Sequence, residues 1–379
     1  MNASLNKKLG NVKWGDYKMG ELFQRVKTNK LPYKADELPN QPLGEYTLPC
    51  LTSSFNNQGL NYYAPREGAT ILQNVISIPS NSDVYRAYYQ PNDFTVLSDA
   101  YAIRWIFDDR ELSSRQYLFM VMCINKVTDL PVYSYKNKLG GWNVVKNKHI
   151  QLPQKRGEID FDFMESFVAE LEAQRVAELS AYLTVSGYDN YELSDAELCA
   201  LQAFKTVNWK SFNLEELFGK ATRGKRLKSA DRVVGNLPFV TAGEAFEGVS
   251  AHIGNEVEVF DANTTTIDMF GSAKYRSYKY GADDHIAVVH TDKLPIKASI
   301  FVTSAIHKAS HTGKFDYGNN FYAKDADALD IMLPEKNGKP DYAYMEILIS
   351  AIHKQVIKEV VLYSDRKIAA TKEVVSKTE

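Results

Sequence analysis

Five stretches of the chain gather cations, four of them with aromatic rings alongside. They are Tyr85-Arg86-Ala87-Tyr88-Tyr89, the run from Tyr133 to Asn143, Thr222-Arg223-Gly224-Lys225-Arg226-Leu227-Lys228, the run from Lys274 to Tyr280, and the run from Lys314 to Tyr322. The third holds four cations and no anion. Such residues suit nucleic acid: Arg reads guanine with two donors, Asn reads adenine, and Lys and Tyr hold phosphates. Ring faces stack on bases, and glycine lets backbone approach a ligand closely. The candidate contacts are Tyr85, Arg86, Tyr88, Lys136, Lys138 and Trp142 in the first half. In the second half they are Arg223, Lys225, Arg226, Lys274, Tyr275, Arg276, Tyr278 and Lys314. Any one cluster also fits an ordinary solvated loop; their recurrence in both halves gives them weight.

Catalytic patterns are missing. The chain has no G-x-x-x-x-G-K-[ST] phosphate loop and no G-x-G-x-x-G. It also lacks the Asn/Asp-Pro-Pro-aromatic stretch of amino-methyltransferases and a convincing Asp…Glu-x-Lys nuclease core. His307 and His311 have the i, i+4 spacing of two ligands on one helix face, but no third ligand accompanies them. Ser77 and Ser80 flank a proline and read as a turn rather than a nucleophile elbow. No catalytic residue, resident cofactor or metal site is expected in this chain.

The elements that must carry these loops are mostly short strands. Runs such as Asn74–Ile78, Ala100–Ile106, Val257–Phe260, Thr264–Ile267 and His285–Val289 are bounded by Pro, Asn, Asp and Gly. Breaker-free stretches over Ser113–Ile124 and around Ala298–Lys308 predict one helix in each half. A long helix then follows Asp160, and another follows Asp341, both aspartates being natural N-caps. The first runs to a C-cap at Gly187 and the second to about Val375; at 1.5 Å per residue they span roughly 38 and 50 Å. Apolar stripes that include Met164, Phe167, Leu171 and Leu179 on one, and Met345, Leu348, Ile352 and Val356 on the other, predict a helix-spacer and subunit interface. The expected arrangement is an antiparallel pair. Between the halves, Ser194 and Glu197 form an S-x-x-E capping box that starts a short connector helix.

The two halves are copies. Trp14…Glu21-Leu22-Phe23 returns as Trp209…Glu216-Leu217-Phe218, 195 positions later. Leu48-Pro49-Cys50-Leu51-Thr52 returns as Leu237-Pro238-Phe239-Val240-Thr241, at offset 189, and Arg86-Ala87-Tyr88 resembles Arg276-Ser277-Tyr278 at offset 190. Leu152-Pro153, Lys155, Gly157, Asp160 and Met164-Glu165 recur without a gap as Leu333-Pro334, Lys336, Gly338, Asp341 and Met345-Glu346, at offset 181. The falling offset makes the second copy 14 residues shorter (195 − 181), the loss lying between anchors, as for loop deletions.

The chain has 379 residues, 45 basic and 47 acidic, for a net charge of −2. Alone, that balance disfavours a strong sequence-independent binder of nucleic acid. The acidic residues gather in the long helix and connector, from Glu158 to Glu197, so a neutral total conceals basic loops and an acidic middle. Three scattered cysteines exclude a disulfide framework. With no apolar run long enough for a membrane helix and no signal-like start, a cytoplasmic location and no membrane partner are expected.

With its duplicated Trp…Glu-Leu-Phe openings, its Leu-Pro-x-x-Thr strands and its Leu-Pro-x-Lys-x-Gly…Asp…Met-Glu helix entries, the chain resembles the specificity (S) subunits of type I restriction–modification systems; type IIB S subunits are similar. The resemblance covers essentially the whole chain. It implies an α+β protein with two tandem pseudo-repeated β-rich target-recognition domains, joined by two long helices forming an antiparallel coiled-coil spacer. The domains expected are 1–157 and 207–339, with spacer helices 158–186 and 340–379 and a connector 187–206. It further implies a non-catalytic subunit that binds a bipartite double-stranded DNA site, with half-sites about one helical turn apart. Methylation and cleavage would then fall to partner methyltransferase subunits, carrying S-adenosylmethionine, and to a restriction/translocase subunit. The alternative is a two-headed protein-binding scaffold on a helical spacer.

Overall fold

The computed structural model describes residues 3–376, with side chains described to residue 370. The chain divides into two compact units, residues 1–178 with 370–379, and residues 179–369.

In chain order the first unit contains α1 (Ala3–Asn11), β1 (Lys13–Lys18), α2 (Met19–Leu22), β2 (Phe23–Arg25), β3 (Tyr46–Leu51), β4 (Leu60–Pro65), β5 (Val75–Pro79), β6 (Tyr88–Gln90), β7 (Thr95–Val96) and β8 (Ala100–Trp105). Then come α3 (Ser114–Thr128), α4 (Trp142–Val145), β9 (His149–Lys155), β10 (Glu158–Ile159) and α5 (Phe161–Val185), whose last turns belong to the second unit. The strands form three sheets, ordered β1-β9-β10, β2-β8-β5-β6 and β4-β3-β7.

The second unit continues with α6 (Asp195–Ala203), β11 (Trp209–Asn213), α7 (Leu214–Phe218), β12 (Thr222–Arg223), β13 (Val234–Val240), β14 (Val249–Ile253), β15 (Thr264–Asp268), β16 (Ala273–Arg276), β17 (Gly281–Ala282) and β18 (Ile286–Val289). It ends with α8 (Ile296–Ser310), α9 (Ala323–Asp327), β19 (Asp330–Lys336), β20 (Lys339–Pro340) and α10 (Tyr342–Ser376), whose residues from Ala370 onward belong to the first unit. Its sheets are β11-β19-β20, β12-β18-β15-β16 and β14-β13-β17. Adding ten to every strand number converts one unit into the other.

The copies agree in register as well as order. Trp14 faces Pro153 as Trp209 faces Pro334. The β3–β4 and β13–β14 pairs break register at the same step, Cys50/Leu51 and Phe239/Val240. Even the left-handed residues coincide: Asn57, Gln58 and Gly59 with Phe246, Glu247 and Gly248, Asn74 with Asn263, and Arg156 and Gly157 with Asn337 and Gly338. Such backbone is costly for non-glycine residues. Its repetition at these points means that the ladders on either side impose it.

Two expectations are corrected. Residues 257–259 are not a strand; that segment touches a ladder only through a lone bridge between Phe260 and Tyr280. The match of Arg86-Ala87-Tyr88 to Arg276-Ser277-Tyr278 is a coincidence of letters. Pairing sets Gln90 opposite Val75 and Arg276 opposite Thr264, so Gln90 is the counterpart of Arg276. Both reach a hydroxyl on the central strand: Gln90 Nε2 donates to Ser77 Oγ (3.1 Å) and Arg276 Nε to Thr266 Oγ1 (2.9 Å). Likewise the Tyr89 hydroxyl donates to Asn74 Oδ1 (2.9 Å) and that of Tyr275 to Asn263 Oδ1 (3.0 Å).

In each unit the helix after β8 or β18 packs on a sheet. Ile76, Ile78, Ile103, Met120 and Ile124 are fully buried in the first, and Ile267, Val302, Ile306 and Leu333 in the second. Each such side chain contributes about 1.5–3 kcal/mol by leaving water. The long helices start as expected: Asp160 Oδ1 accepts from the Phe163 N–H (2.9 Å) and Asp341 Oδ1 from that of Tyr344 (3.0 Å). At the end of α5, Gly187 takes φ +67°, and the N–H groups of Gly187 and Tyr188 bond to the carbonyls of Thr184 (3.1 Å) and Leu183 (2.8 Å). That is a Schellman stop.

The apolar stripes need correction too. Met164 and Phe167 are core residues of the first unit, with Leu171 packed against them, and Met345 is a core residue of the second. The first turns of each helix therefore pack on their own unit. Leu179 is half-buried and Leu348 is buried, whereas Ile352 and Val356 lie open, 38% and 74% exposed. The covered positions on α10 are instead Ile349, Ala351, Val361 and Ser364. The face was misjudged because α10 is apolar on several flanks and because the connector claims one of them. The Tyr344 hydroxyl donates to the Ala200 carbonyl (2.9 Å), and Lys354 Nζ donates to Glu197 (2.9 Å) and to the Glu192 carbonyl (2.8 Å).

Candidate nucleic-acid interface

In the first unit the fold brings two of the basic–aromatic stretches together. The Tyr135 N–H donates to Asp83 Oδ1 (2.8 Å), and the ring of Tyr133 meets that of Tyr85 edge-on, 6.1 Å between centroids. Tyr85 itself is only 1% exposed and belongs to the core. It cannot reach a phosphate or base, and its place among the contacts is withdrawn. Arg86 is half exposed; its Nε donates to Asp129 Oδ2 (2.7 Å), and that bond raises the guanidinium pKa further. Burial, countered by Arg86, raises that of Tyr88, whose hydroxyl donates to the Phe55 carbonyl (3.3 Å). Lys136 is exposed, Lys138 lies over the Tyr135 ring (4.8 Å), and half-buried Trp142 leans on Tyr101 (6.3 Å).

In the second unit the cationic stretch is pinned against the β17–β18 turn. The N–H groups of Gly224 and Lys225 bond to the Ile286 (3.0 Å) and Ala282 (2.9 Å) carbonyls, and that of Leu227 bonds to Asp283 Oδ1 (3.2 Å). A side chain at Gly224 would fall 2.3 Å from the Asp283 carbonyl oxygen, so glycine is required there. Arg223 donates to the Asp284 carbonyl (2.7 Å) and lies over the ring of Tyr322 (5.3 Å), joining this stretch to the loop after α8. Lys225 is exposed, with Glu258 at 3.5 Å; Arg226 and Lys314 are exposed.

The stretch at 274–278 contributes less than its letters suggest. Arg276 is 1% exposed, bonded to Thr266, to the Tyr278 hydroxyl (3.2 Å) and to the Glu247 carbonyl (2.8 Å). It is a buried strut, and its assignment as a DNA contact is withdrawn. Lys274 is mostly covered and engaged with Glu244 (3.2 Å), Asp268 (3.7 Å) and Ser272 (2.9 Å). Tyr275 bonds Asn263, which leaves Tyr278 as the half-exposed ring of this stretch.

Sequence reasoning missed a matched pair. Ser134 N–H bonds to the Asn137 carbonyl as Asp316 N–H bonds to that of Asn319, and the two asparagine amides reach back to the Val132 and Lys314 carbonyls. The same turn thus presents Tyr135 in one copy and Tyr317 in the other, 57% and 85% exposed. Alignment of the asparagines at offset 182 was the available signal. Arg232 was also missed; it spans from the Leu227 carbonyl to Ser250 Oγ (3.1 Å).

His307 and His311 stack, 4.8 Å between ring centroids. Burial first, then His311 and Lys274, lowers the His307 pKa, and its Nδ1 accepts from the Ala273 N–H (3.1 Å). Among the described residues no three His, Cys, Asp or Glu side chains are grouped as for a metal ion, and no helix is long and apolar enough to cross a membrane.

The family model for the type I restriction modification DNA specificity domain matches this chain twice, over residues 11–181 and 206–362. The chain is 25% identical, over 251 residues, to the specificity subunit of a type II restriction enzyme from Heyndrickxia coagulans, a match covering 65% of this chain and 69% of that one. The crystal structure of the S subunit of a type I restriction–modification system from M. genitalium aligns with a TM-score of 0.57 at 13% identity, over 97% of this chain and 95% of the other, which is a likeness of fold. The two matched segments span most of the sequence and both recognition units, and the chain therefore belongs to the type I restriction–modification DNA specificity family.

Proposed function

We propose that this specificity subunit reads a bipartite site on double-stranded DNA, one half with each unit, and performs no methylation or cleavage itself. The observation that carries the reading is the pairing of identical strand orders with unlike loops. One scaffold, used twice with different contact residues, suits two different half-sites. Arg86, Tyr88, Lys136, Lys138 and Trp142 are the contacts we assign in the first unit, and Arg223, Lys225, Arg226, Tyr278 and Lys314 in the second. The presence of one long helix at the end of each copy, α5 of 25 residues and α10 of 35, supports an antiparallel pairing as the spacer. Ile352, Val356, Val360 and Tyr363, spaced four, four and three along α10 and all exposed, are where we place a methyltransferase subunit. That partner would carry S-adenosylmethionine, and a restriction/translocase subunit would complete the complex, in the cytoplasm with the DNA.

The test is methylome sequencing of cells with and without the chain, paired with gel shifts of the protein with and without its methyltransferase. A bipartite motif should lose methylation in its absence, and affinity should rise with the partner. Methylation or cleavage by the chain alone would refute the proposal.

A further inference from the structure

The turn between β3 and β4 in the first unit and that between β13 and β14 in the second carry left-handed residues at the same three positions but are filled differently. In the first unit its left-handed position is Asn57 (φ 45°, ψ 40°), a residue at ease there. In the second it is Phe246 (φ 49°, ψ 37°), for which that backbone is strained. The strain gains no packing, because Phe246 is 88% exposed. A bulky ring held outward at a position that asparagine would occupy more comfortably calls for a use in binding.

Its surroundings specify the ligand. Phe246 lines an open groove of about 450 Å³ with Pro238, Val249, Ser250, His252 and Tyr278. Arg276, buried beneath, bonds both the Tyr278 hydroxyl (3.2 Å) and the Glu247 carbonyl (2.8 Å), so one guanidinium fixes a groove wall and the turn that carries the ring. Arg232 reaches Ser250 (3.1 Å) from the other side and bonds the carbonyl of Leu227, in the cationic stretch that holds Arg226. Cations beside an apolar, ring-lined groove complement a duplex, with phosphates against the former and base edges against the latter.

We propose that Phe246 is a specificity-determining residue of the second unit and that its ring contacts the C5 methyl of a thymine in that half-site, with Arg276 as the positioning residue for the turn. Apolar side chains recognise that methyl in the major groove. This inference rests on the DNA-recognition reading above.

The test uses the chain with its methyltransferase partner. Sites are selected from random duplex DNA, and duplexes of the selected site are remade with deoxyuridine replacing thymidine, one position at a time. Wild type should lose roughly fourfold in affinity at one position of one half-site, the value of one buried methyl. Phe246→Asn should select a degenerate base there, lose the deoxyuridine effect and melt no lower than wild type, since asparagine suits the backbone; Phe246→Leu should restore part of the preference. An unchanged selected site in Phe246→Asn, or an equal loss at every position, overturns the assignment of Phe246 while leaving DNA recognition intact. A wild-type complex that selects no sequence overturns both.

Discussion

Replacing Lys354 with alanine isolates the contact that holds the connector to α10. Glu197 is 6% exposed, accepts from the Ser194 N–H (2.8 Å) and hydroxyl (3.1 Å), and receives Lys354 Nζ at 2.9 Å. Burial pushes its carboxyl pKa upward, but the bonds from Lys354 and Ser194 outweigh burial and hold it at about 2, against 4.5 for a free side chain. A depression of that size is worth at most about 3 kcal/mol near neutral pH. The Lys354 side chain is 20% exposed, and solvent screening reduces the figure to about 2 kcal/mol. Because the folded value lies below the unfolded one, this stability is complete above pH 4.5 and is lost as pH falls toward 2. Hydrogen exchange of the α6 amides reads the contact directly: Lys354 supplies the largest of several bonds behind that depression, so Lys354→Ala should speed exchange by roughly 5- to 30-fold at pH 6, and the gap to wild type should narrow as pH falls to 3. Glu197→Gln in the same background should recover much of the loss by removing the stranded charge. Exchange within twofold of wild type at pH 6, or a gap that ignores pH, would refute the reasoning.

Gly224→Ala should cost about 2 kcal/mol by driving a methyl into the Ala282 and Asp283 carbonyls, and calorimetry should show the second unit melting lower. Arg276→Ala should cost about 3 kcal/mol of stability as a lost buried strut. Arg226→Glu, at an exposed position, should leave stability within about 0.5 kcal/mol and lower the salt dependence of DNA binding by about one phosphate contact; the reverse pattern would exchange their roles. Gly187→Ala should cost about 1 kcal/mol, since alanine resists φ +67°, and exchange should show the end of α5 fraying.

What could be read from the sequence was what depends on near neighbours. The aspartate caps, the Ser194–Glu197 box, the glycine stop at 187 and the helix after β8 each follow from chemistry within a few residues. The duplication was legible because both copies keep their anchors. The fate of Arg276 was not, since its partners Thr266, Tyr278 and the Glu247 carbonyl converge only after three separate segments fold. Repeated letters at Arg86 and Arg276 invited a false equivalence that strand register removes. The covered face of α10 was misread because amphipathic spacing shows that a helix is apolar but not which neighbour takes which flank.

The β3–β4 and β13–β14 turns share their last three left-handed residues and the bond from Thr52 or Thr241 N–H to the glycine carbonyl (2.9 and 2.8 Å), and differ at Gly243, whose φ of +144° has no match at Ser54; from Asn57 and Phe246 onward they are interchangeable parts. Residues 57–59 could be transplanted onto 246–248 without redrawing a single ladder. The transplant would carry a reading surface from one unit to the other, and the scaffold beneath would register no difference.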